Sequence, residues 1–238
     1  MSETGTITLG IDVSKWQSKI DWRKVVDETD YEFAFIKATE NVGHVDGRFA
    51  ENWRGAREVG LLRGPYHFGR PDKISRRSTL ESDAITEANH FHKVLTANGY
   101  YADDIHPVLD IETHGIGGRS SSEVVDWVGA FLARIEVLTG RPCIIYTGKS
   151  TWMFKFRKSA DFFDSPLWQA DYRDTFHPIP GWRASFRQYT TAGRVPGIKT
   201  KRVDKNQFFG TRDDLISEFT LVKPWEPLLA PRPATVWV

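Results

Sequence analysis

Cysteine is nearly missing from this 238-residue chain. The single thiol, Cys143, excludes an intramolecular disulfide framework and a cysteine-rich zinc module. Net charge is nearly missing too: 32 basic residues against 31 acidic ones leave a formal +1. No global field would draw the protein onto nucleic acid or an anionic membrane, so neither is expected as a partner. No run approaches the ~18 apolar residues that a membrane span needs. The opening segment, MSETGTITLGIDVSKWQ, has no basic stretch followed by an apolar one, so no signal peptide is visible. A soluble protein made in the cytoplasm is expected, or one whose leader has been removed.

What is present is ordinary globular composition, 40% hydrophobic and 26% charged, with an excess of aromatic residues. Nine Trp, seven Tyr and fifteen Phe suit flat amphipathic ligands such as sugars as well as a core. Short apolar runs at Thr6–Ile11, Phe33–Ala38, Leu61–Phe68, His106–Ile111 and Pro142–Tyr146 read as buried parallel strands. Helical stripes separate them: Phe49, Trp53 and Ala56; Leu80 through Leu95, opened by Ser78 with Glu81; and Val124 through Leu138, opened by Ser120 with Glu123 and stopped at Gly140. Lys149–Ala160 is a weaker helix candidate.

Strand-like segments at Leu167–Ala170, Ala184–Tyr189 and Arg202–Asn206 follow, joined by Pro- and Gly-rich links too short for crossover helices. Five β/α units and three helix-poor strands make an α/β modified TIM-type barrel the expected fold, with an open doubly wound sheet as runner-up. The expected domain covers residues 1–219. Residues 220–238, KPWEPLLAPRPATVWV among them, form a Pro-rich tail, draped on the barrel or binding a partner through Trp225 and Trp237.

Several chemistries fall away on inspection. Thr147-Gly-Lys-Ser150 lacks the P-loop's first glycine, a position held by Cys143. There is no Gly-x-Ser-x-Gly elbow and no His-Glu-x-x-His, and His90 and His92 point to different helix faces. No cofactor or metal is called for. Carboxylates at strand ends remain. Asp110 and Glu112 close the fourth strand at i and i+2, a spacing that puts both on one face, with Cα atoms roughly 6.5 Å apart. In a barrel that face is the interior, and strand C-termini form the active-site rim. Two acids there repel when both are ionised, so one is expected to hold its proton as a general acid. Asp12 follows strand one, Glu40 follows strand two and Asp204 lies in the eighth. Closure of a barrel would bring Asp12 and Asp204 beside the pair.

Eight blocks now carry a resemblance: GIDVSKWQ (10–17), FIKATE (35–40), RGPYHFGRP (63–71), PVLDIET (107–113), IIYTG (144–148), LWQADY (167–172), RQYT (187–190) and VDKNQF (203–208). In this order they resemble family 25 glycoside hydrolases, the Chalaropsis-type lysozymes or N-acetylmuramidases, over roughly residues 8–210. The resemblance implies a barrel of five β/α units plus three strands. It also implies cleavage of the β-1,4 bond between N-acetylmuramic acid and N-acetylglucosamine in peptidoglycan, with net retention. It makes Glu112 the proton donor and Asp110 its partner, either orienting the 2-acetamido group or acting as nucleophile. Asp12 and Asp204 line the pocket, Glu40 is a further acidic site residue, and Tyr66, Tyr146, Trp168, Tyr172 and Gln188 contact sugar. One departure is Arg187 before Gln188, where the family often has Trp. Peptidoglycan strands are the expected partner and a monomer the expected state. A phage endolysin released through a holin-type pore, an autolysin and an exported effector remain open as sources. A seven-residue basic rim (Arg183, Arg187, Arg194, Lys199, Lys201, Arg202 and Lys205) is expected to favour adsorption to an anionic wall.

Overall fold

The computed structural model of the protein describes residues 6–221. In chain order the elements are β1 (Thr8–Val13), α1 (Trp22–Asp27), β2 (Tyr31–Glu40), β3 (His44–Val45), α2 (Phe49–Glu58), β4 (Leu62–Phe68), α3 (Leu80–Ala97) and β5 (Val108–Asp110). They continue as α4 (Thr113–Ile116), α5 (Ser121–Thr139), β6 (Ile144–Gly148), α6 (Lys149–Phe154), β7 (Leu167–Ala170), β8 (Ala184–Gly193), β9 (Val203–Phe208) and α7 (Arg212–Phe219). Strands run β1-β9-β8-β7-β6-β5-β4-β2, and β2 pairs back with β1, so eight strands close a barrel; β3 is a short appendage on β2.

All eight expected barrel strands are present, and the closed barrel displaces the open sheet. β9 is antiparallel to both its neighbours, β1 and β8. Helices α1, α4 and α7 escape the periodicity because each spans eight residues or fewer. The capping box of α3 sits one residue later than Ser78 and Glu81: Ser82 N donates to Thr79 Oγ1 (3.1 Å), and Thr79 N to Ser82 Oγ (2.9 Å). At α5 the expected box forms, with Ser120 N donating to Glu123 Oε2 (2.8 Å), and Gly140 ends the helix at φ 67°. The candidate helix from 149 stops at Phe154 instead of running to 160.

Strand alternation builds two cores. Outward-facing apolar residues of the strands pack under α2, α3 and α5, where Phe49, Trp53, Phe91, Trp127 and Phe131 are fully buried. Inward-facing residues fill the barrel with Phe33, Phe35, Trp168, Phe186 and Phe208. Phe35 stacks on Trp168 at 4.3 Å and Phe186 meets Phe208 at 5.0 Å. Two glycines make room for them. A Cβ on Gly10 would lie 2.5 Å from the Phe33 ring, and one on Gly64 2.5 Å from Phe35. At the lower mouth, α7 inserts Leu215 and Phe219, and Phe219 lies 5.0 Å from Phe186. Phe219 is therefore part of the barrel's packing. The expected tail lies outside the described residues, apart from Thr220 and Leu221.

Candidate active site

Each inward column changes from apolar to polar as it climbs. β2 reads Phe33, Phe35, Lys37; β5 reads Val108, Asp110; β6 reads Ile144, Tyr146; β8 reads Phe186, Gln188. β9 runs the other way, so its polar end comes first, as Asp204, Asn206, Phe208. Pairing sets Asp12 directly opposite Asp204, and Asp110 beside Phe68 and Tyr146. The result is a cavity of about 220 Å³ at the top of the barrel, lined by Asp12, Asp204, Asp110, Glu112, Lys37, Tyr66, Tyr146, Trp168, Gln188 and the loop after β1.

Four acids thus converge as two pairs. Asp12 is the better held. Gln188 Nε2 donates to Asp12 Oδ2 at 2.9 Å and Asn206 Nδ2 at 2.8 Å. Gln188 is in turn fixed by the hydroxyls of Tyr146 (2.8 Å) and Tyr172 (2.6 Å), and Asn206 by Trp168 Nε1 (2.9 Å). Burial, then the charge of Asp204, pushes Asp12 well above the usual carboxylate range; burial pushes Asp204 up to about 6. Asp110 and Glu112 touch through their carboxyls, and both are raised chiefly by burial. Burial leads where the sequence pointed to like-charge repulsion, and the charge of Glu112 adds to it at Asp110. A shared proton satisfies both members of such a pair. Asp110 Oδ1 is buried and has no hydrogen-bond partner. An acceptor left without a donor in that position is free to receive one from a ligand.

The remaining expected residues separate by position. Tyr66, Tyr146, Trp168 and Gln188 line the acid cavity. Tyr172 instead lines an adjoining cavity of about 640 Å³ with Lys149, Ser150, Thr151 and Met153, and the two cavities share Glu112 and Tyr146. Glu40 lies outside the acid cavity's lining. It pairs with Lys37 Nζ (2.9 Å) and Arg70 (2.8 Å), which hold its carboxyl below the usual range despite burial. Arg187 faces away from the barrel interior. Its Nε donates to the Asp171 carbonyl at 2.9 Å, and its guanidinium also bonds the Arg173 carbonyl. This departure from the family pattern leaves the acids untouched. It also removes buried Arg187 from the expected basic rim, in which Arg183, Arg194, Lys199, Lys201 and Arg202 are exposed.

Sequence reasoning missed Lys37, Asn206 and the Ser14–Gln17 turn. Alternation was the available signal: Lys37 follows Phe33 and Phe35 on one face, and Asp204-x-Asn206 repeats the spacing of Asp110-x-Glu112. No helix among the described residues is long and apolar enough to cross a membrane.

Residues 11–198 match the family model described as glycosyl hydrolases family 25. Lysozyme M1 of Streptomyces globisporus is 33% identical over 219 residues, covering 87% of this chain and 70% of that protein. The N,O-diacetylmuramidase of Chalaropsis sp is 28% identical over 183 residues, covering 72% and 82%. Among solved structures, the bacterial lysozyme from Streptomyces coelicolor superposes with a TM-score of 0.78 at 32% identity, covering 91% of this chain and 97% of that one.

Proposed function

On the premise that this chain belongs to glycosyl hydrolase family 25, and is a lysozyme-like peptidoglycan hydrolase, we propose that it cuts the β-1,4 bond from N-acetylmuramic acid to N-acetylglucosamine with net retention. One observation carries the assignment of roles: Asp110 and Glu112 touch at the top of the barrel, and the Oδ1 of Asp110 is buried without a donor. Glu112 protonates the departing glycosidic oxygen as the C1–O bond breaks. Burial keeps its proton on at pH values where a solvated carboxyl would have lost it.

The nucleophile is internal. The muramic acid's acetamido oxygen closes on C1 to give an oxazolinium ion, while Asp110 Oδ1 accepts the acetamido N–H and stabilises the positive charge. Water then attacks C1 as the carboxylate of Glu112 takes its proton, and the original configuration returns. Asp12 and Asp204 hold the ring and shape the field, with Asp12 fixed by Gln188 and Asn206. Glu40 acts through Lys37.

The second reading makes Asp110 the covalent nucleophile. The same unpartnered oxygen favours it, but two carboxyls in contact at the end of one strand are closer than the ~5–5.5 Å of the usual retaining arrangement. Mass analysis of the products from purified peptidoglycan tests the bond: muramic acid at every new reducing end is expected, and glucosamine there would refute the assignment. A glycosyl ester trapped on Asp110 would replace the acetamido route with the covalent one.

A further inference from the structure

The turn after β1 presents Trp16 on the rim of the acid cavity, 74% exposed. It is the one exposed tryptophan among the described residues. The loop beneath holds the backbone that carries it in place. Ser14 N donates to Gln17 Oε1 at 2.8 Å, and Trp16 N to Ser14 Oγ at 3.3 Å. Gln17 Nε2 ties the turn to the Arg202 carbonyl (3.1 Å), Lys15 N ties it to Asp46 Oδ2 (3.0 Å), and Ser18 leaves it at φ 56°. Lys15 Nζ lies 5.4 Å from the indole centroid. A rigid, flat, amphipathic surface loses little entropy when a ligand settles on it.

The position of Trp16 relative to the cut follows from the two joined cavities. Asp110, which attends the reacting ring, lines the small cavity, and Trp16 is on that cavity's rim. Glu112, which protonates the leaving oxygen, also lines the larger cavity beyond, where Tyr172 stands. The leaving sugar therefore departs toward Tyr172, whereas Trp16 borders only the small cavity that takes the reacting ring, which puts it on the glycone side. About 220 Å³ admits roughly one pyranose, so the reacting muramic acid fills the small cavity and the next ring out reaches the rim.

We propose that Trp16 is the stacking platform for the N-acetylglucosamine one ring before the reacting muramic acid. It thereby favours cuts inside a strand over cuts at its non-reducing end. The apolar face of that sugar lies on the indole, and Lys15 keeps the rim wet and cationic beside it. This rests on the assignment of Glu112 and Asp110 above.

Two peptide-free substrates separate the ideas. The tetrasaccharide GlcNAc–MurNAc–GlcNAc–MurNAc and the trisaccharide MurNAc–GlcNAc–MurNAc offer the same bond, but only the first has a ring to place on Trp16. Trp16→Ala is expected to raise KM for the tetrasaccharide about tenfold, equivalent to about 1.4 kcal/mol, and to leave the trisaccharide unchanged. Trp16→Phe should recover most of the loss. The same preference should appear in calorimetric Kd values measured with Glu112→Gln as background, where nothing is cut. Equal weakening for both saccharides, or none for either, overturns the proposal. Failure of the hydrolase assignment looks different: the protein with Trp16 intact would leave both saccharides uncut while the calorimetric difference persisted.

Discussion

Asp12 and Asp204 face each other across two hydrogen-bonded strands, whereas Asp110 and Glu112 follow one another off the end of a single strand. The first pair is clamped: Asp12 takes two side-chain amide donors, each held by an aromatic hydroxyl or indole. In the second pair the carboxyls meet each other, and Asp110 Oδ1 has no amide, hydroxyl or indole donor. All four carboxyls are raised by burial. Fixed donors on Asp12 and an orphan acceptor on Asp110 accord with the shaping and reacting roles proposed above. A group that must change its partner during the reaction cannot be saturated beforehand.

The largest effect that would break this contrast is on Glu112. Glu112→Gln keeps shape and removes the proton, so lysis of purified walls should fall at least about 10³-fold with far-UV circular dichroism unchanged. Wall turbidity falling at an undiminished rate would mean that another group donates. Asp110→Asn comes next, at about 10²–10³-fold, because an amide can accept a hydrogen bond but opposes the developing positive charge poorly.

The clamped pair should give the opposite balance of activity and stability. Asp204, held near pH 6 in the folded chain, has an unfolded value of about 3.9. A folded value raised above the unfolded one means that the folded state binds the proton more tightly. Its contribution is complete below about pH 4 and is lost as pH rises through 6. Asp204→Asn escapes that loss, so its melting temperature should exceed that of the unsubstituted protein by roughly a few degrees at pH 7. The gain should shrink toward zero below about pH 4. Activity should drop by about tenfold, less than for either member of the other pair. A melting temperature that falls at pH 7 would show that the carboxyl of Asp204 stabilises the fold through its contact with Asp12.

Truncation after Leu221 should have the smallest effect, within about twofold on lysis, since every residue assigned above lies before it. Extending the deletion through Phe219 should cost about 3–5 kcal/mol in a denaturant titration, because that ring plugs the lower mouth.

Much of this contrast was legible in the residues, and the rest was not for identifiable reasons. Asp110 and Glu112 stood out because an apolar strand running into two acids is a period-2 signal within five residues. Asp12 and Asp204 needed the barrel to close before they could meet, yet the count of eight strands anticipated it. The direction of β9 was invisible, since alternation is the same read either way along a strand. The clamp was invisible as well. Asn206 and Gln188 are ordinary polar residues until a distant Trp168 and Tyr146 are seen to orient them. Glu40 shows the converse. Its place after strand two suggested a site residue, and only the position of Arg70, thirty residues away, reveals where its charge is spent.

The antiparallel last strand also bears on how the chain is made. β1 can pair with β2 almost at once, but its other edge waits for β9, and the Asn206–Asp12 hydrogen bond spans 194 residues. Such closure is the slow, late step of folding. During synthesis, a nascent chain that has emerged as far as β8 already carries Asp110 and Glu112, yet has an open seam where Asp204 and Asn206 belong. The four-acid centre is therefore assembled only when nearly the whole domain has left the ribosome, and prematurely released fragments should lack hydrolytic activity.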